Sequence, residues 1–313
     1  MGERQSSRQV TLLSGGVGGA RLARGLAAAL GPADLTVVVN VGDDEDVYGL
    51  HVSPDLDTVT YTLTGIEGPE GWGRAGDTFQ ILGYLAALGA DTTFRLGDTD
   101  LALNLFRTAA LHSGARLSEV TARLAAALGV RCRLLPVTDG RLNTRVRTAS
   151  GEWLSFQEYF VLRGHRDELS AVFFDNAREA RPAPGVLEAL QAAGTVVIGP
   201  SNPPLSIWPI LAIEHIRRAV AAAPRVIAVS PLFAGKTLKG PADRVMAALG
   251  LPPGNAGVLA AYEGLLTDLV IDEGDRDDVA RLGEGRVRIH AADTRITEPA
   301  AATRFAEWLL ELP

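Results

Sequence analysis

The chain is short of cysteine, lysine and long apolar runs, and each shortage excludes something. Cys132 is the single cysteine, so neither an internal disulfide framework nor a multi-cysteine metal centre can form. Between Arg131 and Arg133 it reads as a small core residue. No apolar run reaches the roughly 18 residues that a membrane helix needs, and the most apolar stretch, 219–235, is broken by Pro224, Arg225 and Pro231. With no charged and then apolar leader segment, the expectation is a cytoplasmic protein without a membrane partner. The net charge of −7 sets the global field against nonspecific nucleic-acid binding. His51, His112, His165, His215 and His290 show no metal-ligand spacing, and no Ser/His/Asp arrangement is evident. All but two of the thirty basic residues are arginine; Lys236 and Lys239 stand three apart in "AGKTLKGP".

What the chain has is length and alternation. Its 313 residues suffice to bury roughly 75% of the unfolded surface without a covalent staple. Short β-branched runs at 9–13, 35–41, 194–199, 225–230 and 268–273 alternate with helical patterns. Such runs predict a parallel sheet covered by helices on both faces, with ligands beyond the carboxyl ends of the strands. The turn dipeptides Asp139-Gly140 and Ser150-Gly151 predict hairpins within 133–164. Residues 117–130 read as a helix capped by Ser118 and ended by Gly129. With no repeats or long linkers, the expectation is one α/β domain over 1–313, Rossmann-like, with a smaller α/β subdomain inserted at about 131–190.

Five loops carry candidate chemistry. "SGGVGGARLARGL" (14–26) follows a strand and opens a helix, where backbone N–H groups can cradle phosphate; a tight turn that needs glycine explains it equally well. It is not a clean dinucleotide fingerprint, because Arg21 occupies the third glycine position, and NAD binding is the weaker reading. "AGKT" lacks the first glycine of a Walker A loop, with Ser230 in its place. Lys236 and Lys239 instead precede Gly240, Pro241 and a helix, a setting for phosphate contact or for two solvated lysines. "GPSNPPLSIWPI" (199–210) offers Ser201 and Asn202 on a proline-stiffened turn, for a sugar or base or as a plain connection. The fourth loop, residues 37–58, carries Asp43, Asp44, Glu45, Asp46, Asp55 and Asp57. In an extended segment Asp55 and Asp57 share a face. Clustered carboxylates call for a hard cation such as Mg²⁺, while Glu45 and Asp46 read as solvated. "RLGDTD" (95–100) adds Arg95, Asp98 and Asp100. Together these point to phosphoryl or nucleotidyl chemistry.

In order across about residues 9–250, "SGGVGGAR", "VVNVGDD", "SPDLDT", "GWGRAGDTF", "RLGD", "LLPVTD", "FQEYFV", "GPSNPPLSIWPIL" and "SPLFAGKTLKGPAD" resemble the CofD/FbiA family, the 2-phospho-L-lactate transferases of coenzyme F-420 biosynthesis. The resemblance implies a Mg²⁺-dependent homodimer. It would move a phospho-acyl group from a guanosine diphosphate ester of lactate or enolpyruvate to the ribityl hydroxyl of the deazaflavin Fo, releasing GMP. It implies Fo contacts from Asp57 and Arg95, with Trp72 and Asp98 in the substrate site, and a metal near Asp43, Asp44 and Asp55. Gly15, Gly16, Gly18, Gly19, Ser201, Asn202, Lys236 and Lys239 would hold the guanosine diphosphate moiety. Asp57, Lys236 and Lys239 carry the catalytic expectation, with Asp57 accepting the hydroxyl proton. Two positions depart from the family's "LGDRDxATH": Thr99 replaces the arginine and Asn104 the histidine. The competing reading is a YvcK-type nucleotide-sugar-binding regulator, which shares the glycine loop and the paired aspartates but has no transferase activity.

Overall fold

The computed structural model describes residues 9–238, 240–283 and 285–313. Chain order begins β1 (Val10–Ser14), α1 (Gly16–Ala29), β2 (Leu35–Val39), the hairpin β3 (Glu45–Val47) and β4 (Leu50–Val52), and α2 (Pro54–Thr64). It continues through α3 (Gln80–Ala87), α4 (Asp98–His112), α5 (Leu117–Leu128) and β5 (Arg133–Pro136). After β6 (Asn143–Thr148), β7 (Trp153–Ser155) and β8 (Leu169–Asp175) come α6 (Val186–Ala192), β9 (Thr195–Ile198), α7 (Trp208–Leu211) and α8 (Glu214–Ala221). The last part holds β10 (Val226–Val229), the two-residue strands β11 (Leu232–Phe233) and β12 (Lys236–Thr237), and α9 (Ala242–Ala248). It ends with α10 (Asn255–Ala261), β13 (Asp268–Asp272), α11 (Asp278–Leu282), β14 (Arg288–Ala292) and α12 (Pro299–Leu310).

Seven strands form one parallel sheet in the order β14-β13-β10-β9-β1-β2-β5. Every residue of β1, β10 and β13 is buried, which requires cover on both faces. The order is that of a doubly wound fold, as expected. Its direction reverses between β1 and β9, so the loops after those two strands face each other across the crevice where such sheets bind ligands.

Local expectations fared unevenly. Gly129 ends α5 with φ 87°, but α5 begins after Arg116, where Glu119 accepts the Arg116 N–H at 3.0 Å. Ser118 lies inside the helix, its N–H donating to Asp139 at 2.7 Å. The segment 133–164 is not all hairpin. β5 pairs with β2 in the main sheet, and the Asp139-Gly140 turn leads out of that sheet rather than back along it. The antiparallel sheet β7-β6-β8 lies within residues 143–175. Residues 54–64 are helical, not extended, because Pro54 fits the first helical turn and Gly65 closes the helix with φ 71°.

Opposite the ligand-binding edge, one carboxylate ties down the C-terminus. Buried Asp268 accepts Arg225 Nε at 3.1 Å, Arg288 Nε at 2.9 Å, His290 Nε2 at 2.8 Å and Thr267 Oγ1 at 2.7 Å. Arg225 also donates to the carbonyls of Leu312 and Pro313. Burial alone would raise the Asp268 pKa; these donors outweigh it and hold the carboxyl far below the usual range. A depressed folded pKa stabilises above the unfolded value of about 3.9 and loses that contribution as pH falls through the folded one. Asp268→Asn should therefore cost about 3 kcal/mol at pH 7. In urea titrations its deficit relative to the unsubstituted chain should narrow below about pH 4; a deficit unchanged down to pH 3 contradicts the assignment.

Candidate active site

Beyond β1 the chain turns at Gly16, whose φ of 63° suits glycine, and enters α1. The glycines that follow are demanded by close approach. A Cβ on Gly18 would lie 2.1 Å from the Pro200 carbonyl oxygen, and one on Gly19 would lie 2.4 Å from Ser14 Oγ and 2.8 Å from Ser201 Oγ. Ser201, just past β9, donates to the Gly15 carbonyl at 2.6 Å and accepts the Gly15 N–H at 3.3 Å. The two loops are thereby clipped together at the point where strand order reverses. The Asn202 side chain is committed to capping the following turn, accepting the Leu205 N–H at 3.2 Å.

The acidic loop after β2 closes over this crevice. Asp55 Oδ1 accepts the Gly16 N–H at 2.6 Å, and Asn40 Nδ2 donates to Asp55 Oδ2 at 2.9 Å and to Asp43 Oδ1 at 3.2 Å. Asp43 Oδ2 accepts the Asp55 N–H at 3.1 Å. Asp44 Oδ2 faces His51 Nε2 at 2.9 Å and accepts Ser53 Oγ at 2.8 Å. The small sheet holds this loop from outside. Gln157 Nε2 donates to the Asp43 carbonyl at 2.7 Å, Asn143 to that of Asp44 at 3.3 Å, and the Thr144 N–H to that of Gly42 at 2.7 Å.

These carboxylates resist ionisation. Burial raises the Asp43 pKa well above normal, with the Asp55 charge adding to it. Burial takes Asp55 to about 6 despite hydrogen bonds from Asn40 and Gly16. It raises Asp44 too, against the pull of His51 and Ser53. Asp44 Oδ1 is buried with no hydrogen-bond partner among the described residues. Among the described residues no three His, Cys, Asp or Glu side chains converge on one point, so a cation here would complete its shell from substrate and water. That donor chemistry, one or two carboxylates beside phosphate oxygens, fits Mg²⁺.

Asp55 and Asp57 do not share a face: at about 100° per residue the helix turns them apart. Asp57 points at α4, where buried Arg107 clasps both its oxygens, Nη1 at 3.1 Å from Oδ2 and Nη2 against Oδ1. Arg107 is steadied by the Asn104 amide oxygen, and Asn104 Nδ2 donates to the Asp100 carbonyl at 2.9 Å. Burial raises the Asp57 pKa to about 6 even with Arg107 opposing it. One turn along α2, the Tyr61 hydroxyl donates to Asp100 Oδ1 at 2.6 Å. Arg107 and Tyr61 were not singled out in the sequence. Their one signal is that Asp100, Asn104 and Arg107 recur at helical spacing on a face that also buries Leu101 and Leu103.

At the rim, Asp98 is occupied as a cap: it accepts Thr78 Oγ1 and the N–H groups of Gln80 (3.1 Å) and Ile81 (3.0 Å) at the start of α3. Asp77 returns the favour to α4 through the N–H groups of Thr99 (3.0 Å) and Asp100 (3.2 Å). Arg95 stacks over the Phe79 ring at 4.5 Å, and Trp72 is 58% exposed. Lys236 is exposed on β12 beyond β10, in a hairpin whose bend uses Ala234 and Gly235 at positive φ. Lys239 lies outside the described residues. Pro241 precedes α9 as its cap rather than entering its first turn.

Residues 10–303 match the family described as 2-phospho-L-lactate transferase CofD. The chain is 41% identical to a phosphoenolpyruvate transferase of Streptomyces griseus, covering 97% of this chain and 98% of that protein. It is 39% identical to a 2-phospho-L-lactate transferase of Methanopyrus kandleri, covering 97% of each. A solved structure from the UPF0052 family of Bacillus halodurans aligns over 97% of this chain with a TM-score of 0.64 at 17% identity, a likeness of fold. Given the family match over nearly its whole length, this chain belongs to the CofD family of 2-phospho-L-lactate transferases.

Proposed function

We propose that the chain transfers a phospho-acyl group, phospholactyl or phosphoenolpyruvyl, from a guanosine diphosphate ester to the ribityl hydroxyl of the deazaflavin Fo, releasing GMP in coenzyme F-420 biosynthesis. The observation that carries this reading is the buried carboxylate set joined through Asp55 to the glycine turn at the sheet's reversal point. It puts cation-seeking oxygens beside a helix end suited to phosphate. Relatives of both activities match at nearly equal identity, so the lactyl and enolpyruvyl esters are the two donors to assay.

In this reading the glycine turn and Ser201 receive the diphosphate, with Lys236 supplying a cation from the loop after β10. Asp44, with Asp43 or Asp55 beside it, would hold Mg²⁺, which when bound draws negative charge from phosphate oxygens. Asp57, fixed by Arg107, offers a rigid acceptor for a hydroxyl of the ribityl chain. Trp72 and the Arg95–Phe79 stack present flat faces to a planar ring. In-line phosphoryl transfer needs little covalent help, so positioning and charge carry the rate.

Fluorescence titration with Fo, with and without GDP and Mg²⁺, tests the reading directly. Micromolar binding is expected, weakened at least tenfold in Arg95→Ala. A protein that ignores Fo under every condition is instead a nucleotide-sugar binder of the competing type. For the cation, chelation should abolish turnover, and Asp44→Asn should raise the Mg²⁺ needed for half-maximal rate about tenfold. An unchanged Mg²⁺ requirement removes Asp44 from the metal.

We also propose that a second copy covers α3. Its sequence, "QILGYLAA", carries no charge and buries only Leu82. Phe79, Ile81, Tyr84 and Leu88 are exposed, as are Leu105 and Phe106 of α4, and these apolar side chains offer area on the order of the 800 Å² per partner that stable interfaces bury. Leu88→Glu together with Tyr84→Glu should shift sedimentation from dimer to monomer; a monomeric unsubstituted chain disproves the interface.

A further inference from the structure

The carboxylates of the site differ in what their oxygens already do. Asp43 and Asp55 each have both oxygens engaged by Asn40 or backbone N–H groups. Both oxygens of Asp57 are clasped by Arg107, which is itself buried and held by Asn104. A carboxylate so held is a good anchor and a poor proton acceptor, since a proton arriving there must displace a charge-assisted hydrogen bond. Asp100 differs. Its Oδ1 accepts the Tyr61 hydroxyl at 2.6 Å and the Gly97 N–H also reaches the carboxylate, while among the described residues no side chain donates to Oδ2, which lies beside the turn at Gly73. It sits partly exposed in the first turn of α4, one turn from Asn104.

We propose that Asp100, not Asp57, takes the proton of the attacking acceptor hydroxyl, with Tyr61 as the positioning residue that fixes its carboxylate. The inference rests on the transferase reading above and assigns its general base. The acceptor oxygen bonds to the phosphorus that bears the acyl group. The bond from that phosphorus to the GMP oxygen breaks, and its electron pair leaves with GMP. The hydroxyl proton moves to Asp100 Oδ2 and thence to solvent. The groups facing Asp100 are Tyr61 and Asp57 from α2 and Arg74 and Asp77 from the preceding loop; Arg107 of α4 faces Asp57 and Tyr61. Burial, with the Asp77 charge, raises the Asp100 pKa, against hydrogen bonds from Tyr61 and the Gly97 N–H and the Arg74 charge. This moves a carboxylate toward the working range of a base. Asp57 keeps the role of an anchor.

The experiment is the pH dependence of kcat with Fo and each guanosine diphosphate ester. Asp100→Asn should lower kcat by about 10²–10⁴, leave the Fo KM within a few-fold, and abolish the acid limb of the profile. Asp100→Glu should recover part of the rate. Tyr61→Phe, which removes one donor to the ionised carboxylate, should move the acid limb to higher pH; this decides the case even if Asp100→Asn fails to fold. Either of two results overturns the proposal: a near-normal kcat in Asp100→Asn, or a raised Fo KM at unchanged kcat. An unsubstituted chain that binds Fo but transfers nothing to it sinks the transferase reading itself, and the base assignment with it. An unsubstituted chain active with an Asp100→Asn variant of equal kcat sinks the base assignment alone.

Discussion

The bond from the Gly16 N–H to Asp55 Oδ1 is the interaction on which the site depends. It ties the positive end of α1 to the first turn of α2, and so fixes the acidic loop against the glycine turn. A helix N-terminus favours a negative partner, and here the protein supplies its own. The Asn40 amide completes the arrangement by donating to both Asp55 and Asp43. Two buried carboxylates thus share one donor at the end of β2, where a dinucleotide-binding fold would carry an acidic residue facing a ribose.

Such an arrangement works against stability. Each of these carboxylates is pushed toward its protonated form by burial, and like charges side by side add to the cost. The small sheet offsets part of this by hydrogen bonding the loop's backbone from Gln157, Asn143 and Thr144. Its position outside the main sheet therefore has a function: it holds a loop that electrostatics would open. Arg107 does the corresponding work for Asp57, as the buried cation that a buried carboxylate requires.

Much of the architecture was legible because parallel strands announce themselves as short β-branched runs. β5 was hidden because "RLLP" is brief, begins with arginine and lacks β-branched residues. β14, "RIHAA", also begins with arginine and has a single β-branched residue, Ile289, too few to make a run. The acidic loop was legible as a cluster, since six carboxylates in a short span have few ordinary explanations. The face-sharing of Asp55 and Asp57 was misread because alternation says nothing about backbone state, and Pro54 starts helices as readily as it stiffens loops. Arg107 was invisible among so many arginines; only the fold brings it to Asp57, fifty residues away in sequence. Asp98 and Asn202 look like ligand residues by type, yet their oxygens are spent on helix and turn starts. Capping and binding ask for the same side chains.

The broken glycine fingerprint now has a physical cause. Gly18 and Gly19 are present because the loop after β9 passes too close for a side chain. Where a dinucleotide fold needs a third glycine for helix-to-strand packing, this chain has Arg21, and α1 there meets the 71–73 turn, with Gly71 against Val17 and Arg21. Asp55 already takes the first N–H of α1. A pyrophosphate cannot simply lie on this helix end as it does in dinucleotide folds, because its charge would meet that of Asp55. An anion must displace the aspartate or share it through a cation. Sharing is the cheaper course, since displacement would strip a buried carboxylate of its hydrogen bonds from the Asn40 amide and the Gly16 N–H. On the proposed reading the glycine turn and the aspartates are two halves of one site, which a divalent cation would join to a phosphate.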